Sequence, residues 1–173
     1  MMSSPEPSTL VLVGPMAAGK TSVGRKVARL LKVPFIDTDK RVAAAHGPIP
    51  QIFAEHGEVR FRELEHAAVA EALAEGGVVS LGGGAVTDAG TRLLLTRHPV
   101  VFLTVDAEAV AHRIAGPGRP LLAGETDPLE RWQTIFDARR AWYEQVADLT
   151  VDTSRTPMRA LAERIAAWRK EQQ

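Results

Sequence analysis

A short apolar run, Leu10 to Val13, stops at Gly14, and Pro15-Met16-Ala17-Ala18-Gly19-Lys20-Thr21 then completes the pattern G-x-x-x-x-G-K-[ST]. Helical periodicity takes over from about Thr21 to Leu31. A buried strand, a glycine-bounded loop and a helix in that order constrain this chain more than any other feature. Backbone N–H groups of such a loop and of the helix start point at phosphate oxygens, and the helix dipole adds positive potential there. Gly14, Ala17, Ala18, Gly19, Lys20, Thr21 and Ser22 are therefore expected to hold the phosphates of a nucleotide. Lys20 is expected to reach the β- and γ-phosphates, and the Thr21 hydroxyl to ligate Mg²⁺.

The rest of the chain continues the alternation. Val33–Ile36, Val78–Leu81, Val100–Val105 and Leu149–Val151 read as further short strands. Helical segments lie between them: about Lys40–Ala45, Ile49–Glu75 with a break at Gly57, Asp88–Arg97, Ala107–Ile114 and Pro128–Gln145. Thr156-Pro157 reads as an N-cap followed by proline at the first helical position. It opens a last helix with Met158, Leu161, Ile165 and Trp168 on one stripe, which reads as core packing rather than a partner face. Strands alternating with helices imply an α/β fold, a parallel sheet covered on both faces. Ligands of such sheets sit beyond the carboxyl ends of the strands.

The chain is expected to be one domain, 9–173, behind a frayed tail, 1–8. Its 173 residues carry 21 basic and 21 acidic side chains, so it lacks the broad positive field of a nucleic-acid binder. The absence of cysteine excludes disulfides and thiolate chemistry and fits the cytoplasm. Met1 to Ser8 has no basic n-region or apolar stretch and does not read as a signal peptide, and no run is long enough to span a bilayer. The histidines, 46, 56, 66, 98 and 112, show no ligand spacing.

Asp37 and Asp39 end the second strand two residues apart, so both carboxylates project to one side, toward the phosphate loop. Asp37 is assigned to Mg²⁺ through water. Asp39 is assigned to an acceptor hydroxyl, which it would orient and deprotonate; its alternative is an N-cap for the next helix. Arginine forks suit an anionic acceptor. Either Arg60 or Arg62 can face a pocket, but not both, and Arg139 or Arg140 is a second candidate. Gly82-Gly83-Gly84 permits close approach of a ligand to the backbone. The Gly/Pro-rich stretch within about 113–126 reads as a mobile lid that excludes water, with Arg119 acting on the transferring phosphoryl and Arg113 near the adenine.

Over about Leu10 to Trp168 these residues resemble the shikimate kinase family. The resemblance rests on the phosphate loop, Asp37-Thr38-Asp39, and Gly57-Glu58 with Phe61-Arg62 and Glu65. It continues through Ser80-Leu81-Gly82-Gly83-Gly84-Ala85, Arg119-Pro120-Leu121-Leu122, and Arg139 four residues before Tyr143. It implies a five-stranded parallel sheet of the P-loop, nucleoside-monophosphate-kinase type, with a lid and an acceptor-binding region at about 39–66. It implies a monomer that phosphorylates the 3-hydroxyl of shikimate with ATP and Mg²⁺, on the route to aromatic amino acids. It places Asp39 on the acceptor hydroxyl, Arg62 and Arg139 on the acceptor carboxylate, Gly83 and Gly84 against the acceptor, and Arg155 at the adenine.

Four places differ from the family pattern. Ala17 stands where glycine is usual, and costs about 1 kcal/mol if that position needs a positive φ. The Gly47-Pro48-Ile49 stretch is one residue short, the lid is shortened around Ala115 to Gly118, and Ala141-Trp142 replaces a Pro-Leu pair. Two other readings remain: a P-loop kinase for another small hydroxy acid such as gluconate, and a weakly catalytic nucleotide-binding regulator.

Overall fold

The structure, a computed structural model, describes residues 9–114 and 127–173. Five strands form one sheet: β1 (Thr9–Val13), β2 (Phe35–Asp37), β3 (Gly77–Ser80), β4 (Val100–Thr104) and β5 (Leu149–Asp152). Their spatial order is β2-β3-β1-β4-β5, and every pairing is parallel. Leu10 to Val13 are at most 1% exposed, as expected of a central strand whose two faces are both covered.

Among the described residues, seven α-helices surround the sheet: α1 (Lys20–Leu31), α2 (Thr38–His46), α3 (Ile49–Glu75), α4 (Ala89–Leu95), α5 (Ala107–Ile114), α6 (Pro128–Val146) and α7 (Met158–Glu171). α1 packs on α7, while α4 packs against both α3 and α6. The stripe on α7 divides: Leu161 and Ile165 are buried and Trp168 packs on the same core, but Met158 is 44% exposed. Gly57 interrupts α3 with φ 79°, the break its sequence suggested.

Several boundaries shift by one or two residues from the sequence reading, and two of the shifts have a clear local cause. β2 starts at Phe35 rather than Val33, because Pro34 has no N–H to give to a ladder and contributes only its carbonyl, to Val78 N. α2 begins two residues early, at Thr38, because the Asp37 carboxylate accepts from the N–H groups of Asp39 and Lys40. Asp37 therefore ends a strand and caps a helix in one step, and the capping duty weighed for Asp39 falls to Asp37. A 3-10 turn at Ala85–Thr87, absent from the sequence reading, closes the glycine run after β3.

Pairing sets the levels at the carboxyl edge. Asp37 lies opposite Ser80, and Ser80 opposite Leu12. The ends of β2, β3 and β1 thus open side by side, and the loops that leave them share one cleft.

Candidate active site

The cleft has a volume of about 770 Å³. Residues Pro15 to Val23 form one wall, Asp37 and Asp39 stand beside them, and Arg62, Glu65, Gly83, Gly84 and Arg139 line the other end. Of the phosphate-site residues named from sequence, all but Gly14 line the cleft directly. Gly14 passes against the Leu103 carbonyl at the end of β1 and lends its own carbonyl to Lys20.

The phosphate loop takes two left-handed residues, Ala17 (φ 68°) and Gly19 (φ 87°). Glycine tolerates that region; alanine is strained there by about 1 kcal/mol. Three carbonyls of the loop are held from outside it. Trp132 Nε1 donates to Met16 O at 2.7 Å, Arg113 Nη1 to Ala17 O at 2.8 Å, and Thr153 Oγ1 to Ala18 O at 2.8 Å. Lys20 Nζ donates to the carbonyls of Gly14 and Pro15 at 2.8 and 3.0 Å. Burial pulls the pKa of Lys20 down to about 8, against the opposing pull of the Asp39 and Asp37 carboxylates. A second cation, on Arg139, lowers it further.

Thr21 Oγ1 lies 3.3 Å from Asp37 Oδ2, which brings together the two side chains expected at a metal. Asp39, in the first turn of α2, is free of the capping role and faces the cleft. Its pKa is raised, first by burial and then by the neighbouring Asp37, while Lys20 and Arg62 pull it back. A carboxylate held this way is more basic than an exposed aspartate.

At the far end Arg62 Nη1 donates to Glu65 Oε1 at 2.7 Å. Glu65 is 2% exposed, and burial raises its pKa against the pull of Arg62. Arg62 Nε is itself buried with no hydrogen-bond partner. Such an orphan donor calls for an acceptor from elsewhere. The glycine run makes room for this cluster. A Cβ at Gly84 would collide with the Arg62 guanidinium, and one at Gly82 with Asp39 Oδ1 and, at 2.8 Å, with Glu65 Oε2. Gly83 has ordinary space beside Arg139, and its carbonyl accepts a very short hydrogen bond from the Tyr143 hydroxyl. Tyr143 stacks on Phe102, and burial pushes its pKa up to about 12, so its hydroxyl remains a donor.

The two open arginine choices are separated by the structure. Arg62 and Arg139 line the cleft; Arg60 and Arg140 lie outside, paired with Glu63 and Glu144. Arg113 lines the cleft too, but its fork is engaged with Ala17 O and with Thr153 O, at 2.6 Å. Arg155 is not brought to the site. It is a surface residue paired with Asp106 at 2.5 Å and Glu108 at 3.2 Å, and Thr156 and Met158 form the cleft wall nearby. Arg119, with most of the expected lid, lies outside the described residues.

Sequence reasoning gave no role to Glu65, Tyr143, Trp132 or Thr153. Glu65 was within reach, since an ion pair three residues along a helix from Arg62 is a recognised spacing. A buried tryptophan or tyrosine needs an acceptor for its polar tip, but nothing local names it. Trp132 and Thr153 find theirs 116 and 135 residues away.

Comparison with known proteins points one way. The family model for shikimate kinase matches residues 16–170. The shikimate kinase of Corynebacterium efficiens is 45% identical over 157 residues, covering 89% of this chain and 92% of the relative. That of Streptomyces coelicolor is 46% identical over 160 residues, covering 90% and 91%. Among solved structures, shikimate kinase from Acinetobacter baumannii in complex with shikimate superposes with a TM-score of 0.86 at 36% identity, covering 96% of this chain and 95% of that one. A gluconokinase from Sinorhizobium meliloti, at 23% identity and TM-score 0.67, shares the fold. The chain belongs to the shikimate kinase family.

Proposed function

We propose that this chain transfers the γ-phosphoryl group of ATP to the 3-hydroxyl of shikimate. One observation carries the reading. A single cleft joins the phosphate loop and Lys20 to a basic carboxylate, Asp39, and then to Arg62, whose Nε is buried without a partner. That order suits a nucleotide, a hydroxyl and an anionic group held in line.

Arg62, with Arg139 opposite, would take the acceptor carboxylate, Glu65 fixing the plane of the Arg62 fork. The acceptor would lie against Gly83 and Gly84. Asp39 would take the hydroxyl proton as the oxygen bonds to the γ-phosphorus and the bond to the β-phosphate oxygen breaks. Phosphorylated acid and ADP are the products. Lys20 exchanges carbonyl partners for phosphate oxygens, and the rest is positioning and charge stabilisation.

Mg²⁺ belongs to the same reading. The Thr21 hydroxyl and Asp37 carboxylate are hard oxygen donors of the type Mg²⁺ takes, and the ion would supply positive charge at the phosphates. No group of three or more His, Cys, Asp or Glu among the described residues could hold a metal by itself, which fits an ion that also leans on phosphate and water. Arg119 is proposed for the transferring phosphoryl, from a lid within about 113–126. The working unit is proposed to be a cytoplasmic monomer, since one chain supplies every residue invoked. Among the described residues no helix is long and apolar enough to cross a membrane.

The test is product identification. Incubation with Mg·ATP and shikimate, followed by phosphorus NMR, is expected to show the 3-phosphate ester. Phosphate on another hydroxyl, or ADP formed without any ester, would refute the reading.

A further inference from the structure

Three consecutive carbonyls of the phosphate loop are gripped by three elements remote in sequence: Met16 by Trp132 of α6, Ala17 by Arg113 of α5 and Ala18 by Thr153 after β5. The grips are joined, because Arg113 also donates to Thr153 O and, at 3.3 Å, to Thr153 Oγ1. Trp132 and Thr153 are each 3% exposed, so both donors need an acceptor within the fold; the indole has Met16 O, and the Thr153 hydroxyl is closer to Ala18 O, at 2.8 Å, than to Thr104 O, at 3.2 Å. At the centre sits Ala17, the only left-handed residue of the described loop that is not glycine.

We propose that Trp132, Arg113 and Thr153 are positioning residues for the nucleotide. They keep Ala17 left-handed and so hold the loop in the shape that binds phosphate. A trans peptide directs its C=O and the following N–H oppositely, so fixing the carbonyls of Met16 and Ala18 turns the N–H groups of Ala17 and Gly19 away from those grips. An ungripped alanine would relax out of the left-handed region, and the peptides on either side would rotate with it. A glycine at 17 would have no such tendency. The grips are therefore needed because residue 17 is alanine.

This inference rests on the nucleotide-binding part of the reading above, and its test uses ADP alone, so failure to phosphorylate shikimate leaves it untouched. Titration calorimetry gives the ADP Kd of the full chain and of Thr153→Val and Trp132→Phe, each alone and combined with Ala17→Gly. Thr153→Val keeps the buried shape and loses only the donor; Trp132→Phe loses the donor and one ring of a buried indole, so Thr153→Val is the cleaner of the two. Each is expected to weaken ADP about fivefold to tenfold, the worth of one lost hydrogen bond. Adding Ala17→Gly is expected to restore affinity to within about twofold of Ala17→Gly alone. Thermal unfolding run alongside identifies a variant that fails to fold, in which case the other decides. Wild-type ADP affinity in the single variants, or the same loss whichever residue stands at 17, would overturn the proposal. The second result would mean that the hydroxyl or indole serves the nucleotide directly.

Discussion

Arg62 donates to Glu65 through Nη1 at 2.7 Å while its buried Nε meets no acceptor. The guanidinium is thus held by Glu65, with Glu58 Oε1 3.6 Å from Nη2, and is left unsatisfied at Nε alone. Only a planar fork can be used this way, since a lysine in the same place would offer a single point charge. Arg62→Lys is expected to raise the shikimate KM at least about tenfold, with the ATP KM unchanged, because a bidentate charged contact is reduced to one. Steady-state kinetics with each substrate varied in turn checks the split.

Asp39 stands between the phosphate loop and the arginines without a capping duty. Asp39→Asn keeps the shape and removes the base. The expected result is a fall in kcat of about 10²- to 10⁴-fold with ADP binding largely retained. Equal loss of ADP affinity would make Asp39 a structural or metal residue instead.

Two groups give the pH profile limbs of opposite sign. Burial and Asp37 raise the Asp39 pKa, so kcat is expected to climb with pH through a value above the usual aspartate range of about 3.9. Burial lowers Lys20 to about 8, and a neutral lysine no longer attracts phosphate. The kcat/KM for ATP is therefore expected to fall as pH rises through about 8. The limb should soften in kcat, since bound phosphate stabilises the charged lysine. Activity profiles with ATP limiting and saturating test both limbs.

Tyr143 ties the stacked core at Phe102 to the Gly83 carbonyl. Tyr143→Phe keeps the stack and frees that carbonyl beside Arg139. A rise in shikimate KM of about fivefold is expected, from one lost hydrogen bond. Thermal stability should change by no more than a few degrees, as the buried ring is retained.

How much of this was readable in the chain depends on distance along it. The phosphate loop, the paired aspartates and the five strands are local patterns, and each is present, the strand ends shifted by no more than two residues. The choice between Arg60 and Arg62 is not local. Helical spacing says that one faces inward, but which one depends on the kink at Gly57 and on how α3 packs against α2. The cap passed from Asp39 to Asp37 because the extended backbone runs through Asp37 itself. Arg155 found partners 49 and 47 residues away, and the loop grips on Met16 and Ala18 span more than 100 residues. Contacts of that range are created by the sheet order and leave no periodic trace. The strain at Ala17 was visible as a question in the sequence and is answered by φ 68°.

The most direct test of the account is ADP release from Mg·ATP with shikimate, gluconate and quinate compared as acceptors. The arrangement of Asp39, Arg62 and Arg139 predicts rapid turnover with shikimate and little above background with the other two. Turnover with gluconate or quinate at a comparable kcat/KM, or none with shikimate, would contradict it.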